Sequence, residues 1–204
     1  MWPLLGFSLL ATTLFLERGL FWLRLHQHQD RFIQKSLALY STQPQSAIES
    51  LKKHTQFPIA RIFLAALTLE QGTPDDFRLA LESAAQEELP LLKRFNTVFE
   101  TIIGVAPLLG LLGTILGLMK TFASLRLGEA IGESASDVTA GIGTALVSTA
   151  AGLLVAIATL LFTNLFLGLY RRQRTAIEAY SGKLELLYRQ YYRQYLSRQR
   201  PPTS

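Results

Sequence analysis

The chain has 204 residues, 49% of them hydrophobic and 17% charged, with a formal net charge of +5 and no cysteine. Its positive mean hydropathy and sparse charge exclude an ordinary soluble domain, and the lack of thiols excludes disulfides, thiolate metal sites and cysteine nucleophiles. Lys and Arg lie mainly outside the apolar runs, where positive charge sets membrane topology, so nucleic-acid binding is not expected.

Met1 to Leu16 carries no charge, and Glu17-Arg18 precedes a further apolar stretch to Leu23. No basic residue leads this run and no small-residue cleavage site follows it, so residues 1–23 read as a first transmembrane helix, not a cleaved secretory signal. Trp2 and Trp22 stand roughly 30 Å apart along a helix, one for each interface. Arg24, Arg31 and Lys35 follow the span and no basic residue precedes it, which places the N-terminus outside. Glu17 and Arg18 fall about one turn inside the inner interface, within snorkelling reach.

Residues 24–95 form a cytoplasmic helical insert. Thr42-Gln43-Pro44, Phe57-Pro58 and Gly72-Thr73-Pro74-Asp75-Asp76 each set a proline near a helix start, and the last adds a Thr cap with acids in the first turn. Ile59, Ile62, Phe63, Ala66 and Leu67, then Phe77, Leu81 and Ala84, recur at helical spacing. Three or four short helices follow from this, too few to bury much core alone. His26, His28 and His54 lack a carboxylate or cysteine to complete a ligand set, so no metal and no cofactor is expected.

From about Pro90 a single helix is expected to run into the second span, residues 96–122. Thr101 to Met119 is uncharged and about 28 Å long as a helix, close to the hydrocarbon thickness of a bilayer. Ala106, Gly110, Gly113, Gly117 and Thr121 share one side, with Thr114 on its flank, while Val105, Leu108, Leu109, Leu112, Leu116 and Met119 share the other. A helix small on one side and greasy on the other packs closely against protein with the first and faces lipid or apolar protein with the second. Pro107 removes a backbone donor, so a kink is expected there.

Residues 123–137 read as a periplasmic loop whose charges (Arg126, Glu129, Glu133, Asp137) show no positive excess, with Ser136 or Asp137 as a candidate cap for the next helix. The third span, 138–170, is uncharged over all 33 residues, about 50 Å of helix, and so must reach beyond the bilayer. Gly141, Ala145, Ser148, Gly152, Ala156, Thr159 and Thr163 form its small face, with Thr149 and Thr144 on opposite flanks. Arg171, Arg172 and Arg174 mark the inner interface, and 171–204 is a cytoplasmic helical tail with Ile177, Leu184, Leu187, Tyr188, Tyr191 and Tyr195 at helical spacing, ended by Pro201-Pro202. The fold class is therefore an all-α membrane protein: three transmembrane helices with long cytoplasmic helix extensions and a small helical cytoplasmic insert.

Gly104 to Met119 (GVAPLLGLLGTILGLM), preceded by Glu88-Leu89-Pro90-Leu91-Leu92 and joined to GIGTALVSTAAGLLVAI (Gly141 to Ile157), resembles the MotA/TolQ/ExbB proton channel family, nearest its ExbB/TolQ branch. LERGLFWLRL (Leu16 to Leu25) and PIARIFLAAL (Pro58 to Leu67) carry the same resemblance. It implies a homo-oligomeric ring in the bacterial inner membrane, pentameric in the family, with its N-terminus periplasmic and its C-terminus cytoplasmic. The ring surrounds an ExbD/TolR-like single-span partner whose membrane aspartate takes up and releases the ion, and work passes to a periplasm-spanning TonB/TolA-like protein. The resemblance places the family's pore-facing threonines at Thr114 and Thr149. Thr144 stands where the family usually has glutamate, and Ala158 where it usually has proline. The first departure bears on the proton step assigned to that glutamate; the second implies a straighter third span.

No acidic or basic side chain lies between Glu100 and Lys120 or between Asp137 and Arg171. Hydroxyls orient water and solvate an ion but hold no proton near neutral pH, so this chain is not a complete proton relay by itself. Thr114, Thr149, Ser148 and Thr144 are the candidate ion-pathway residues, and Gly110, Gly113, Gly117, Gly141 and Gly152 the candidate helix-packing residues. The other reading of the hydroxyls is plain interhelical packing. No nucleophile–base or metal constellation points to an enzyme. A structural ring without conduction is the alternative that Thr144 leaves open.

Overall fold

The computed structural model describes residues 2–69, 72–125 and 134–199; at Trp2, 26–28, Asp30, Ser124, Leu125, 134–138 and 198–199 it describes the backbone alone. Among the described residues every regular element is an α-helix: α1 (Trp2–Thr42), α2 (Pro44–Lys52), α3 (Pro58–Leu67), α4 (Pro74–Leu92), α5 (Asn96–Leu125) and α6 (Ser134–Gln199). Three stretches are long and apolar enough to cross a membrane, within Pro3–Leu25, Pro74–Ala123 and Thr139–Ser197. The chain is an all-α membrane protein.

The helices divide into two compact units. The first comprises Met1–Gly19 and Phe95–Leu167. Its core joins α1 to both glycine-bearing helices: Leu4 and Ala11 meet Ile102, Ala106 and Ala156, with Phe7, Phe15, Leu109, Ala151 and Val155 packed around them. Phe15 stacks on Phe99 and Phe162 at ring-centroid distances of 5.1 and 4.4 Å. The outward faces stay greasy, with Leu108, Leu112, Leu116 and Met119 of α5 and Leu146, Leu154, Ile157 and Leu161 of α6 exposed. In water such a surface would aggregate; in a bilayer it faces lipid or other apolar helices.

The second unit comprises Leu20–Arg94 and Gly168–Ser204. Proline opens α2, α3 and α4 at the first helical turn, where its missing N–H leaves no bond unmade. At α4 the expected cap is present. Thr73 Oγ1 accepts from the Asp76 N–H (3.2 Å), and the Asp76 carboxylate accepts from the Thr73 N–H (2.9 Å). The Thr73 hydroxyl also donates to the Asp76 carboxylate at 2.6 Å, and that bond, with the one from the Thr73 N–H, holds the Asp76 carboxyl below its ordinary pKa. Ile59, Ile62, Phe63 and Ala66 of α3 and Phe77 and Leu81 of α4 are buried, as are Ile177 and Leu184 on α6. Phe77 stacks on Tyr188 at 4.0 Å, and the Tyr188 hydroxyl donates to Gly72 O at 2.7 Å. Arg61 pairs with Glu88 and donates to Thr55 O at 2.6 Å.

One expectation fails. No single helix runs from Pro90 into the second span. α4 ends at Leu92, the chain turns at 93–95, and α5 begins anew at Asn96. Pro90 lacks the N–H that would bond Gln86, weakening the last turn of α4. The end then tightens into three-residue bonds, from Lys93 N–H to Pro90 O and from Arg94 N–H to Leu91 O. Phe95 takes φ 69°, the left-handed conformation that ends helices and usually falls to glycine. Its carbonyl then accepts from Phe99 N–H to start α5.

α6 continues unbroken from the third apolar run into the tail, as the spacing of the tail's apolar residues predicts. It starts at Ser134, ahead of Ser136 and Asp137, whose side chains lie outside the described residues, as does the loop 126–133 with Arg126, Glu129 and Glu133. The side chains of Trp2, His26 and His28 and the Pro201-Pro202 terminator lie outside them too. His54 sets Nδ1 2.8 Å from Ser50 O, and its ring packs against Phe32 at 4.3 Å.

Candidate functional site: the glycine and hydroxyl seam

In the first unit the small faces of α5 and α6 meet each other in antiparallel register. A Cβ at Gly110 would lie 2.9 Å from Ser148 O and 3.0 Å from Thr149 Cα; one at Gly113 would lie 2.8 Å from Ser148 Cβ. Further along, a Cβ at Gly117 would come within 3.1 Å of Ala145 Cβ, and one at Gly141 within 2.1 Å of Thr121 Oγ1. At the other end, Gly152 faces Ala106 O at 2.5 Å and Gly110 Cα at 3.1 Å by the same measure. At Gly110 and Gly152 a side chain would occupy the space the partner's main chain fills, and at Gly113, Gly117 and Gly141 it would press on the facing side chains of Ser148, Ala145 and Thr121. The five glycines and Ser148 thus come together in one seam. α5 is helical on both sides of Pro107.

The hydroxyls divide by how they are satisfied. Thr121 donates to Gly117 O (2.9 Å), Thr159 to Val155 O (2.7 Å) and Thr163 to Thr159 O (2.8 Å), each on its own helix. Such back-bonding is the ordinary fate of a threonine in an apolar helix. Thr114 Oγ1 donates to Leu111 O at 2.6 Å and Thr144 Oγ1 to Ala140 O at 2.9 Å. Thr149 differs: its Oγ1 is shut off from solvent and has no hydrogen-bond partner among the described residues, a state shared outside the spans by the Gln29 amide, Gln173 Nε2 and Ser181 Oγ. Buried polar atoms are nearly always partnered, and one that is not calls for an explanation.

Helical phase separates these residues further. On α6, Thr149 and Thr144 lie about 140° apart around the axis, on either side of the seam. Thr144 shares its side with Ala151 and Val155, which pack in the core with α1. On α5, Thr114 lies on the flank turned away from Ile102 and Leu109, which pack in that same core. Thr114 and Thr149 therefore share the flank of the α5–α6 pair remote from α1, and Thr144 goes to the other. It is also exposed, whereas Ser148 is buried.

Three charged residues in the other recognised segments have structural partners that spacing alone did not reveal. Arg61 in PIARIFLAAL meets Glu88 of the segment before the second span, and Glu88 holds the guanidinium more firmly protonated. Arg18, expected to snorkel, is instead buried at 5% exposure, its Cζ 5.5 Å from the centre of the Phe95 ring; its neighbour Glu17 is exposed. The charge signs of Arg61 and Glu88 were a signal, but their separation of 27 residues hid it. Phe95 gave none.

Residues 54–179, which hold every seam residue named above, match the MotA/TolQ/ExbB proton channel family. A relative from Synechocystis sp., described as putative biopolymer transport protein ExbB-like 3, is 58% identical over 94% of this chain and 91% of its own length. A second from the same organism, ExbB-like 1, is 40% identical over 94% of this chain and 76% of its own length. A biopolymer transport protein ExbB from Aquifex aeolicus is 35% identical over 50% of this chain and 67% of its own length.

Proposed function

The chain belongs to the MotA/TolQ/ExbB proton channel family, and from that premise we propose that it is the ring subunit of an energy-transducing complex in the bacterial inner membrane, driven by an ion-motive force. In this reading copies of the chain, five by the family's habit, surround an ExbD/TolR-like partner with one membrane span and an aspartate within it. The complex powers TonB/TolA-type transport across the envelope. The N-terminus and loop 123–137 are periplasmic; the insert 24–95 and tail 171–204 are cytoplasmic; a bend at Pro107 belongs to the same proposal. The role is transport, with no reaction catalysed.

The observation that carries this reading is the buried, unpartnered hydroxyl of Thr149 on a flank shared with Thr114, in two runs (101–119 and 138–170) whose sequence holds no Asp, Glu, His, Lys or Arg. An unmet O–H is a donor ready for an anionic acceptor. A carboxylate inside the membrane costs about 2.5–3.5 kcal/mol on insertion scales. Hydrogen bonds from threonine hydroxyls to the ionised form offset part of that, at about 1.5–3 kcal/mol each for a charged acceptor. The membrane potential adds roughly 2.3 kcal/mol per charge per 100 mV, enough to move the equilibrium between protonated and ionised states. The chain supplies the polar wall and the partner supplies the titrating acid.

One observation favours a second reading, a ring that scaffolds such a complex without conducting. Thr144 stands where the resemblance places a glutamate, so the chain offers no titrating carboxyl of its own at that position. Reconstitution in liposomes with the partner separates the two. Conduction predicts ion flux from the native chain that needs both proteins and disappears when the partner's aspartate becomes asparagine. A scaffold predicts no flux until Thr144→Glu is introduced; that result would overturn the conducting reading.

A further inference from the structure

The second unit leaves two helix faces in solvent, and they carry opposite charge. On α4, Asp75, Leu79, Glu82 and Gln86 follow one another at helical spacing on a single stripe, all exposed, with exposed Arg78 on one flank and exposed Glu87 further round on the other. On α6, Arg172, Lys183, Leu186, Gln190 and Arg193 do the same, all exposed and with no carboxylate among them. Each stripe has one large leucine in the open, Leu79 at 65% and Leu186 at 62% exposure. A lone exposed leucine needs no explanation. Two of them, each set among charges of opposite sign, have the pattern of an apolar contact ringed by complementary charge.

The same chemistry already operates where the two helices meet within one chain, since Arg189 reaches Asp75 at 3.2 Å. Arg78 pairs with Glu82 along α4 and Arg189 with Asp75, so Asp75, Glu82 and Glu87 stand against two arginines on that face and keep one net negative charge. Neither stripe complements itself, so like faces repel and unlike faces attract.

Resting on the reading above that the chain assembles with its own copies, we propose that the acidic α4 stripe of one copy docks on the basic α6 stripe of a second copy, with Leu79 meeting Leu186. The contact joins two different patches, the kind of interface from which closed rings are built. Rim charges select the partner face and steer the encounter, while the leucines exclude water at the centre.

The absence of native cysteine makes the test direct. Full-length Leu79→Cys and Leu186→Cys chains, carrying different tags, are co-expressed and oxidised in membranes. A product of twice the chain mass is expected from the mixture and from neither variant alone. Lys183→Glu with Arg193→Glu in one chain should lower its yield severalfold, and Glu82→Lys with Glu87→Lys in the other should restore it. No product, while native mass spectrometry still shows an oligomer, overturns this interface and leaves the assembly reading standing. A monomer by mass removes both. A product between either cysteine and a different protein assigns the stripe to that protein and likewise overturns the proposal.

Discussion

Phe95 has the least comfortable backbone among the described residues, the one non-glycine position with positive φ. It ends α4, starts α5, and sets its ring beside the guanidinium of buried Arg18. Two effects compete at this residue: a left-handed conformation costs a residue with a Cβ about 1–2 kcal/mol, and a cation over an aromatic face returns about 0.5–2 kcal/mol when desolvated. The two cancel to first order, which explains how a phenylalanine can occupy a glycine's conformation. Phe95→Ala and Phe95→Gly both remove the ring, but glycine also relieves the backbone. Phe95→Gly should therefore be the more stable of the two by about 1 kcal/mol in thermal unfolding in detergent. Equal stability would show that φ at this position costs nothing.

At the scale of elements, the seam between α5 and α6 decides whether the first unit holds together. Greasy helices gain little from each other in lipid, so close backbone approach must supply the attraction. Gly152→Ala would thrust a methyl to 2.5 Å from Ala106 O. That contact is backbone and cannot swing aside, so a loss of about 1–3 kcal/mol is expected. Gly143→Ala, where a Cβ would meet nothing within 4 Å, should be neutral or slightly stabilising. A cost at Gly143 equal to that at Gly152 would mean that the seam is not what the glycines serve. Much of this was legible beforehand. Glycines at steps of three and four in an uncharged run announce a close helix contact, and Thr73-Pro74-Asp75-Asp76 announces the start of α4. What stayed hidden depends on tertiary partners. The turn at 93–95 looks like helix because it holds no glycine, and its proline lies three residues earlier inside α4. Arg18 resembles an interfacial charge because Phe95, its neighbour in space, is 77 residues away in the chain. The same limit applies in the seam: periodicity puts Thr149 on a flank, but only the structure shows that its buried hydroxyl lacks a partner while the threonines Thr114, Thr121, Thr144, Thr159 and Thr163 bond to their own helices.

For the molecule as a whole, polarity separates the two units. The first is uncharged through its helices from Thr101 to Met119 and from Val138 onward, and the second carries the ion pairs Arg61–Glu88 and Arg189–Asp75 and the oppositely charged stripes. The account of function joins these: a polar wall in the first unit, a titrating acid lent by a partner, and copies held together through the second. Its central claim is that the Thr149 and Thr114 hydroxyls serve a visiting carboxylate and not the fold. The measurement that tests it most directly is ion flux into liposomes containing this chain and its single-span partner, comparing the native chain with Thr114→Val plus Thr149→Val. Valine keeps the shape and removes only the O–H groups, so the complex should assemble unchanged while flux falls by about tenfold or more, the effect of losing about 1.4 kcal/mol or more of stabilisation. Undiminished flux through an intact double-valine complex would contradict the account.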